Sequence, residues 1–178
     1  IDFGYRMPAV GWFQIYRVGG LWHINMIDEI LHKTNIKTDE LASKIKAKPY
    51  NVLKYYGDPA GKQVSGQSGM GDIEIFRRKG IVIHTKRDKV SRNISSGVSH
   101  LRGFIENAEN QRFLHLHNKC IGMMEDLENY RYPEAKEGQD LKPDPLKDGY
   151  HDHGCDMLRY FFINQFPIKN RKFKVRTR

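Results

Sequence analysis

The carboxylates of this 178-residue chain fall in three places from which they could work together. Asp58 closes the run "YNVLKYYGD", at the carboxyl end of an expected strand, where open α/β sheets place their reactive groups. Asp2 lies in the opening strand, with a glycine two residues later. Near the other end, "HDHGCD" sets Asp152 and Asp156 four apart on one helical face, with His153 three before Asp156. Acids from three separate elements are what a hard divalent cation requires, because Mg²⁺ and Mn²⁺ prefer carboxylate oxygen and water. Any one of these acids alone is explained by a cap or a surface charge. Only the constellation carries the reading.

Other chemistries fit less well. The glycines of "YGDPAGKQVSGQSGMGD" suggest a phosphate cradle, but Gly57 and Gly61 are one residue too close for a P-loop. Gln63 also replaces the hydroxyl residue that would follow Lys62, and no second acid is placed on a hydrophobic strand to serve it. These glycines are expected to form a flexible turn leaving a strand. His151, His153 and Cys155 alternate, and residues two apart on a helix do not share a face, so a zinc site does not assemble from them. His115 and His117 read as one face of a strand. The frequent aromatics, among them Tyr5, Trp12, Tyr16 and Trp22, read as core, with Tyr130-Arg131-Tyr132 open to DNA stacking.

These groups need elements to hold them. "IDFGYRMPAVGWFQIYRV" and "LWHINMID" read as strands around a Gly19-Gly20 turn. "KTDELASKIKAK" reads as a helix capped by Thr38 or Asp39 and ended by Pro49. A helix starting at Met70 or Gly71 runs to Gly80, with Ile73 and Phe76 inward. "IVIHTK" is a buried strand, and "SRNISSGVSHLRGFIENAE" a helix with Ile94, Val98, Leu101 and Ile105 on one stripe. "RFLHLH" alternates as a strand, Asn118 caps a helix through "NKCIGMMEDLENY", and Pro133 to Gly149 is a long polar loop or hairpin. The last helix covers "HDHGCDMLRYFFINQ" and stops at Pro167. Three antiparallel segments followed by alternating helices and strands predict an α/β fold, a mixed sheet flanked by helices.

A net charge of +9 points to a polyanionic partner, nucleic acid first. Part of that charge is local, since "PIKNRKFKVRTR" holds six of the thirty Lys and Arg. Two cysteines argue against a disulfide framework and fit a reducing compartment. No apolar run approaches the ~18 residues of a membrane span. Asp2 and Arg6 interrupt any signal segment, and the opening reads as the middle of a strand, as expected of a piece of a longer polypeptide.

Three motifs, "IDFGYRMPAVGWFQI", "YYGDPAGKQ…GMGDIEIFRRKGI" and "DGYHDHGCDMLRYFF", together resemble the nuclease domain of the large terminase subunit of tailed bacteriophages. The resemblance covers nearly the whole chain, and its last motif is the most specific. It implies an RNase H-like fold over residues 1–166, with 167–178 a basic tail. The implied activity is a metal-dependent endonuclease that cuts double-stranded viral DNA concatemers during genome packaging, by two-metal phosphodiester hydrolysis with Mg²⁺ or Mn²⁺. By the same resemblance Asp2 is the first-strand ligand, Asp58 the bridging acid and Asp156 the ligand from the last helix. His153 is then a metal or phosphate partner, and Asp152 an alternative or additional ligand. Candidate DNA contacts are Lys62, Arg159, Lys169, Arg171 and Lys172. Implied partners are double-stranded DNA, a packaging ATPase domain of the same polypeptide, the portal and the small terminase subunit, in the host-cell cytoplasm. The further acid that some relatives carry just after the first is replaced here by Tyr5-Arg6-Met7-Pro8. Two other readings stand beside this one: another RNase H-like DNA enzyme such as a resolvase or transposase, and a non-catalytic DNA- or portal-docking module.

Overall fold

The computed structural model describes residues 1–3, 6–63, 69–86, 93–134 and 144–168. Strands β1 (Val10–Val18) and β2 (Leu21–Ile30) form the expected antiparallel hairpin. Gly19 and Gly20 both take positive φ, 56° and 82°, as a tight two-residue turn between right-twisted strands demands. Alternation along β1 supplies two cores at once. Val10 and Trp12 join one apolar cluster, while Ala9, Phe13 and Ile15 join the other. The ladder shifts register between Trp12 and Phe13, leaving Ile27 of β2 as the extra residue. Across that bulge β2 changes faces: Ile24 and Met26 serve one cluster, Ile27 and Ile30 the other.

The remaining elements are α1 (Thr38–Lys46), β3 (Tyr55–Tyr56), a 3₁₀ turn (Pro59–Lys62), α2 (Asp72–Arg78), β4 (Ile83–His84), α3 (Ile94–Ile105), β5 (Leu114–Leu116), α4 (Ile121–Asn129) and α5 (Asp152–Gln165). Two expected caps are not used. The residue before α1 is Lys37, and Thr38 instead donates its hydroxyl to Asp72, tying α1 to α2. Cys120 rather than Asn118 precedes α4, and its first free amides, on Gly122 and Met123, donate to the Glu29 carboxylate at 2.8 and 3.0 Å. The α3 stripe holds at its centre, where Val98 and Leu101 are buried.

β1, β2 and β5 form one ladder and β3 with β4 another, with β5 parallel to β2 and β4 parallel to β3. Residues 1–2 join the two. Asp2 and Ala9 exchange backbone bonds of 2.8 and 3.1 Å, Ile1 N donates to Tyr56 O at 2.7 Å, and Asp58 N–H donates to Ile1 O at 3.2 Å. The result is one mixed sheet in the order β5, β2, β1, residues 1–2, β3, β4. Helices α3, α4 and α5 cover one face around Met157, Leu158 and Phe162; α1 and α2 cover the other around Leu41, Ile45 and Phe76. Phe13 stacks on Phe161 with ring centroids 3.9 Å apart, seating α5 on β1. No helix among the described residues is long and apolar enough to cross a membrane.

Candidate active site

The sheet order decides which acids can meet. Ile1 is bonded between Tyr56 and Asp58 in a parallel arrangement, so Ile1 stands opposite Gly57 and Asp2 opposite Asp58. Residues opposite each other on parallel neighbours leave the sheet on the same face. Helix α5 lies across that region and brings His153, whose Nδ1 is 3.0 Å from Asp2 Oδ2. Asp156, one turn further along, is 4% exposed and Asp2 is 7% exposed.

Electrostatics tie the three acids together. Burial raises the Asp2 carboxyl above its usual range; the His153 hydrogen bond opposes this, and the charges of Asp156 and Asp58 add to the rise. His153 is raised in turn, first by its bond to Asp2. Tyr160, next to them on α5, is pushed up by burial, and among the charges that act on it are Asp58, Asp156 and Asp2. Carboxylates that repel one another in a partly dry setting are an arrangement that a cation relieves.

A cation of the protein's own already sits there. Lys147 Nζ lies 2.6 Å from Asp156 Oδ2 and 3.9 Å from Asp152 Oδ2. Arg159 holds the other oxygen, with Nε and Nη2 at 3.1 and 3.0 Å from Asp156 Oδ1. This corrects the placement of Arg159 as a DNA contact: it is 4% exposed and its guanidinium is turned inward onto Asp156. Asp152 uses Oδ1 to accept the Gly149 N–H at 2.7 Å, closing the turn that enters α5. Asp156 is thus the α5 acid whose charge acts on Asp2, whereas Asp152 serves its own helix start. As the side chains stand, no three His, Cys, Asp or Glu among the described residues converge closely enough to hold an ion. The donor set nonetheless fits a hard divalent cation, with all-oxygen acids, mutual repulsion and an ammonium standing in beside Asp156.

Asp58 is spent locally, capping the 3₁₀ turn through a 2.8 Å bond from Ala60 N–H to Oδ1. The glycines around it are not a loose turn. A side chain at Gly61 would strike the Phe3 ring, and one at Gly57 would come within 2.9 Å of it. Their absence of a side chain lets Phe3 pack beneath the turn and holds Asp58 beside Asp2. Lys62 is exposed on this turn. Lys169, Arg171, Lys172, Tyr5 and positions 135–143 of the polar segment lie outside the described residues.

Two groups near the site had no signal in the sequence beyond their residue types. One is Lys147, which reads only as part of a polar loop. The other is a cluster behind the start of α5: His32 Nε2 is 2.7 Å from the fully buried Asp126 Oδ1, His32 stacks on Tyr150 at 4.3 Å, and His151 Nδ1 is 2.7 Å from Asp148 Oδ2. It fastens the end of β2 and α4 to the turn from which His153 and Asp156 emerge. His115 faces not a metal but His23, ring on ring, and Arg102 lies over Tyr132. Cys120 and Cys155 are buried and free.

No protein-family model matches the chain, and no curated protein matches it. Two solved structures do. The nuclease domain of the large terminase of bacteriophage SPP1, solved with bound Mn, is 18% identical, with 92% of this chain and 83% of that one covered at a TM-score of 0.62. The large terminase nuclease domain of phage P22 is 17% identical, covering 92% and 78% at a TM-score of 0.66. The chain therefore has the fold of the large terminase nuclease domains, and the expected mixed sheet flanked by helices is what is found.

Proposed function

We propose that the chain is a divalent-metal-dependent endodeoxyribonuclease of the large-terminase type, cutting double-stranded viral DNA during genome packaging in the host cell. The observation that carries the reading is the meeting of Asp2, Asp58 and Asp156 at the carboxyl end of the sheet. The shared fold supports it, as does the manganese in one of the two similar domains. Asp2, Asp58 and Asp156 would hold Mg²⁺ or Mn²⁺, with Asp152 and His153 as further donors. Bound there, such ions supply Lewis-acid polarisation of a phosphodiester and a water of lowered pKa.

The chain's own residues do the positioning. His153 fixes the rotamer of Asp2 through its 3.0 Å bond. Arg159 pins one oxygen of Asp156 and leaves the other to whatever cation displaces Lys147. Asp58 must give up its bond to the Ala60 amide or share it, since that oxygen is engaged. Lys62, exposed on the same turn, is placed to meet a phosphate oxygen, and the basic residues Lys169, Arg171 and Lys172 extend the contact. Affinity for DNA then rests on backbone charge and falls steeply with salt. The packaging ATPase domain, portal and small terminase subunit are the proposed partners.

The test is cleavage of supercoiled plasmid with Mn²⁺, Mg²⁺ or chelator, by the chain and by Asp58→Ala. Cutting that needs metal and disappears in the variant is expected. Undiminished cutting by Asp58→Ala would take Asp58 out of the mechanism, and a strong preference for branched DNA would favour a resolvase instead.

A further inference from the structure

The sheet has a gap at its centre. Beyond residues 1–2, the edges of β1 and of the 50–56 segment face each other across an open groove of about 770 Å³. Val10 to Tyr16 line one wall, Tyr50 to Tyr56 the other, and Ile1 closes one end. Phe161 and Gln165 of α5 form one face of the groove, and Ile27 and Ile45 the opposite face.

The backbone of both walls is set for pairing. Ala9 turns its N–H and C=O towards Asp2, with which it exchanges both bonds. Alternation along an antiparallel strand turns the same groups of Gly11, Phe13 and Ile15 into the groove, while Val10, Trp12 and Gln14 face β2. On the other wall Gly57 N–H is committed to His84 of β4, so Tyr56, whose C=O already accepts from Ile1, points inward. Two unpaired edges lying opposite each other inside a folded sheet, rather than at its rim, are an arrangement that calls for a strand between them.

We propose that this groove seats one more strand of the sheet, an extended segment on the same backbone that runs into Ile1. Continuity names the source. Ile1 is already paired on both sides as the last residue of such a strand, and its nitrogen opens into the groove. In the register set by Asp2 opposite Ala9, the residue ahead of Ile1 faces Gly11, the third ahead faces Phe13 and the fifth faces Ile15. About five residues, each rising ~3.3 Å, fill the groove. Both faces of the strand meet apolar walls, so its sequence is apolar throughout rather than alternating. Its consequence is local to the acids: Asp2 becomes the carboxyl end of a full central strand, held along its length instead of by two residues.

The test compares two N-terminally extended versions of the chain. One carries five Val and Ile residues ahead of Ile1; the other has the same length with proline at three of the five positions. The readouts are amide hydrogen exchange and the thermal midpoint. In the Val/Ile version the amides of Gly11, Phe13, Ile15 and Tyr56 are expected to exchange at least about tenfold more slowly than in the proline version, with a higher midpoint. Equal exchange at these four amides would overturn the proposal. So would protection in the unextended chain that grows with its concentration, since a second copy would then hold the groove.

Discussion

Asp28 and Asp2 both border the β1–β2 ladder, Asp28 within β2 and Asp2 across from Ala9, and both are largely removed from water. Around Asp28, burial alone would raise the carboxyl, but Lys48 Nζ at 2.7 Å, Tyr50 Oη at 2.9 Å and the Glu29 amide at 2.9 Å outweigh it and hold the group below its usual range. Around Asp2, burial and the charges of Asp156 and Asp58 raise the carboxyl, and only His153 opposes them. One acid has had its charge answered by the fold. The other has been placed among its own kind. The first arrangement is what a joint between α1, β2 and the 48–50 segment needs; the second is what a cation site needs before its cation arrives.

The largest expected contrast is in cleavage. Asp58→Ala and Asp2→Asn should lower metal-dependent plasmid cutting by more than about a hundredfold, beyond the loss that even outer-shell changes cause at metal sites. Asp28→Ala should leave the rate per folded molecule within about threefold, since a surface ion pair remote from the reacting atoms adds nothing to the barrier. Equal losses from both acids would erase the distinction between them.

Stability should divide the other way. Asp28→Ala strands Lys48 and Tyr50 and is expected to cost about 1–3 kcal/mol in urea denaturation, towards the lower end because Lys48 remains partly solvated. Asp2→Asn, which removes a like charge, should not lower the metal-free midpoint, yet should abolish the rise that saturating Mn²⁺ gives, about 2.7 kcal/mol at a hundredfold excess over Kd. Next in size is Lys147→Met. The ammonium beside Asp156 competes with a metal ion for the same oxygens, so its removal should tighten Mn²⁺ binding several-fold in calorimetry, roughly 1 kcal/mol. Weaker binding would make Lys147 a support of the site instead of a competitor.

The smallest effect is in the acid limb of stability. A carboxyl whose folded pKa lies below its unfolded value of about 3.9 contributes fully above that value, and the contribution is lost as pH falls through the folded pKa. Asp28→Asn should therefore lower stability at neutral pH and flatten the decline below about pH 4.

The positions of the acids were legible in the sequence because each follows a local rule. Asp58 ends a strand that a glycine and proline interrupt, and Asp156 repeats Asp152 at helical spacing. The hairpin was legible for the same reason, through Gly19-Gly20. What could not be read is whatever depends on pairing far along the chain. Arg159 looks like an exposed cation in a list of residues, and only the seating of α5 on β1 turns it onto Asp156. Lys147 is one lysine among many until the turn before α5 brings it to the acids. The glycines at 57 and 61 signal a turn, but their purpose, room for Phe3, lies across fifty residues of sequence.

The central claim is that Asp2, Asp58 and Asp156 serve one metal centre. Anomalous scattering from crystals soaked in Mn²⁺ tests it most directly. The account expects manganese among these three carboxylates with Lys147 Nζ displaced from Asp156. Manganese bound instead at His32 and Asp126, or none at the three acids at saturating concentration, would contradict it.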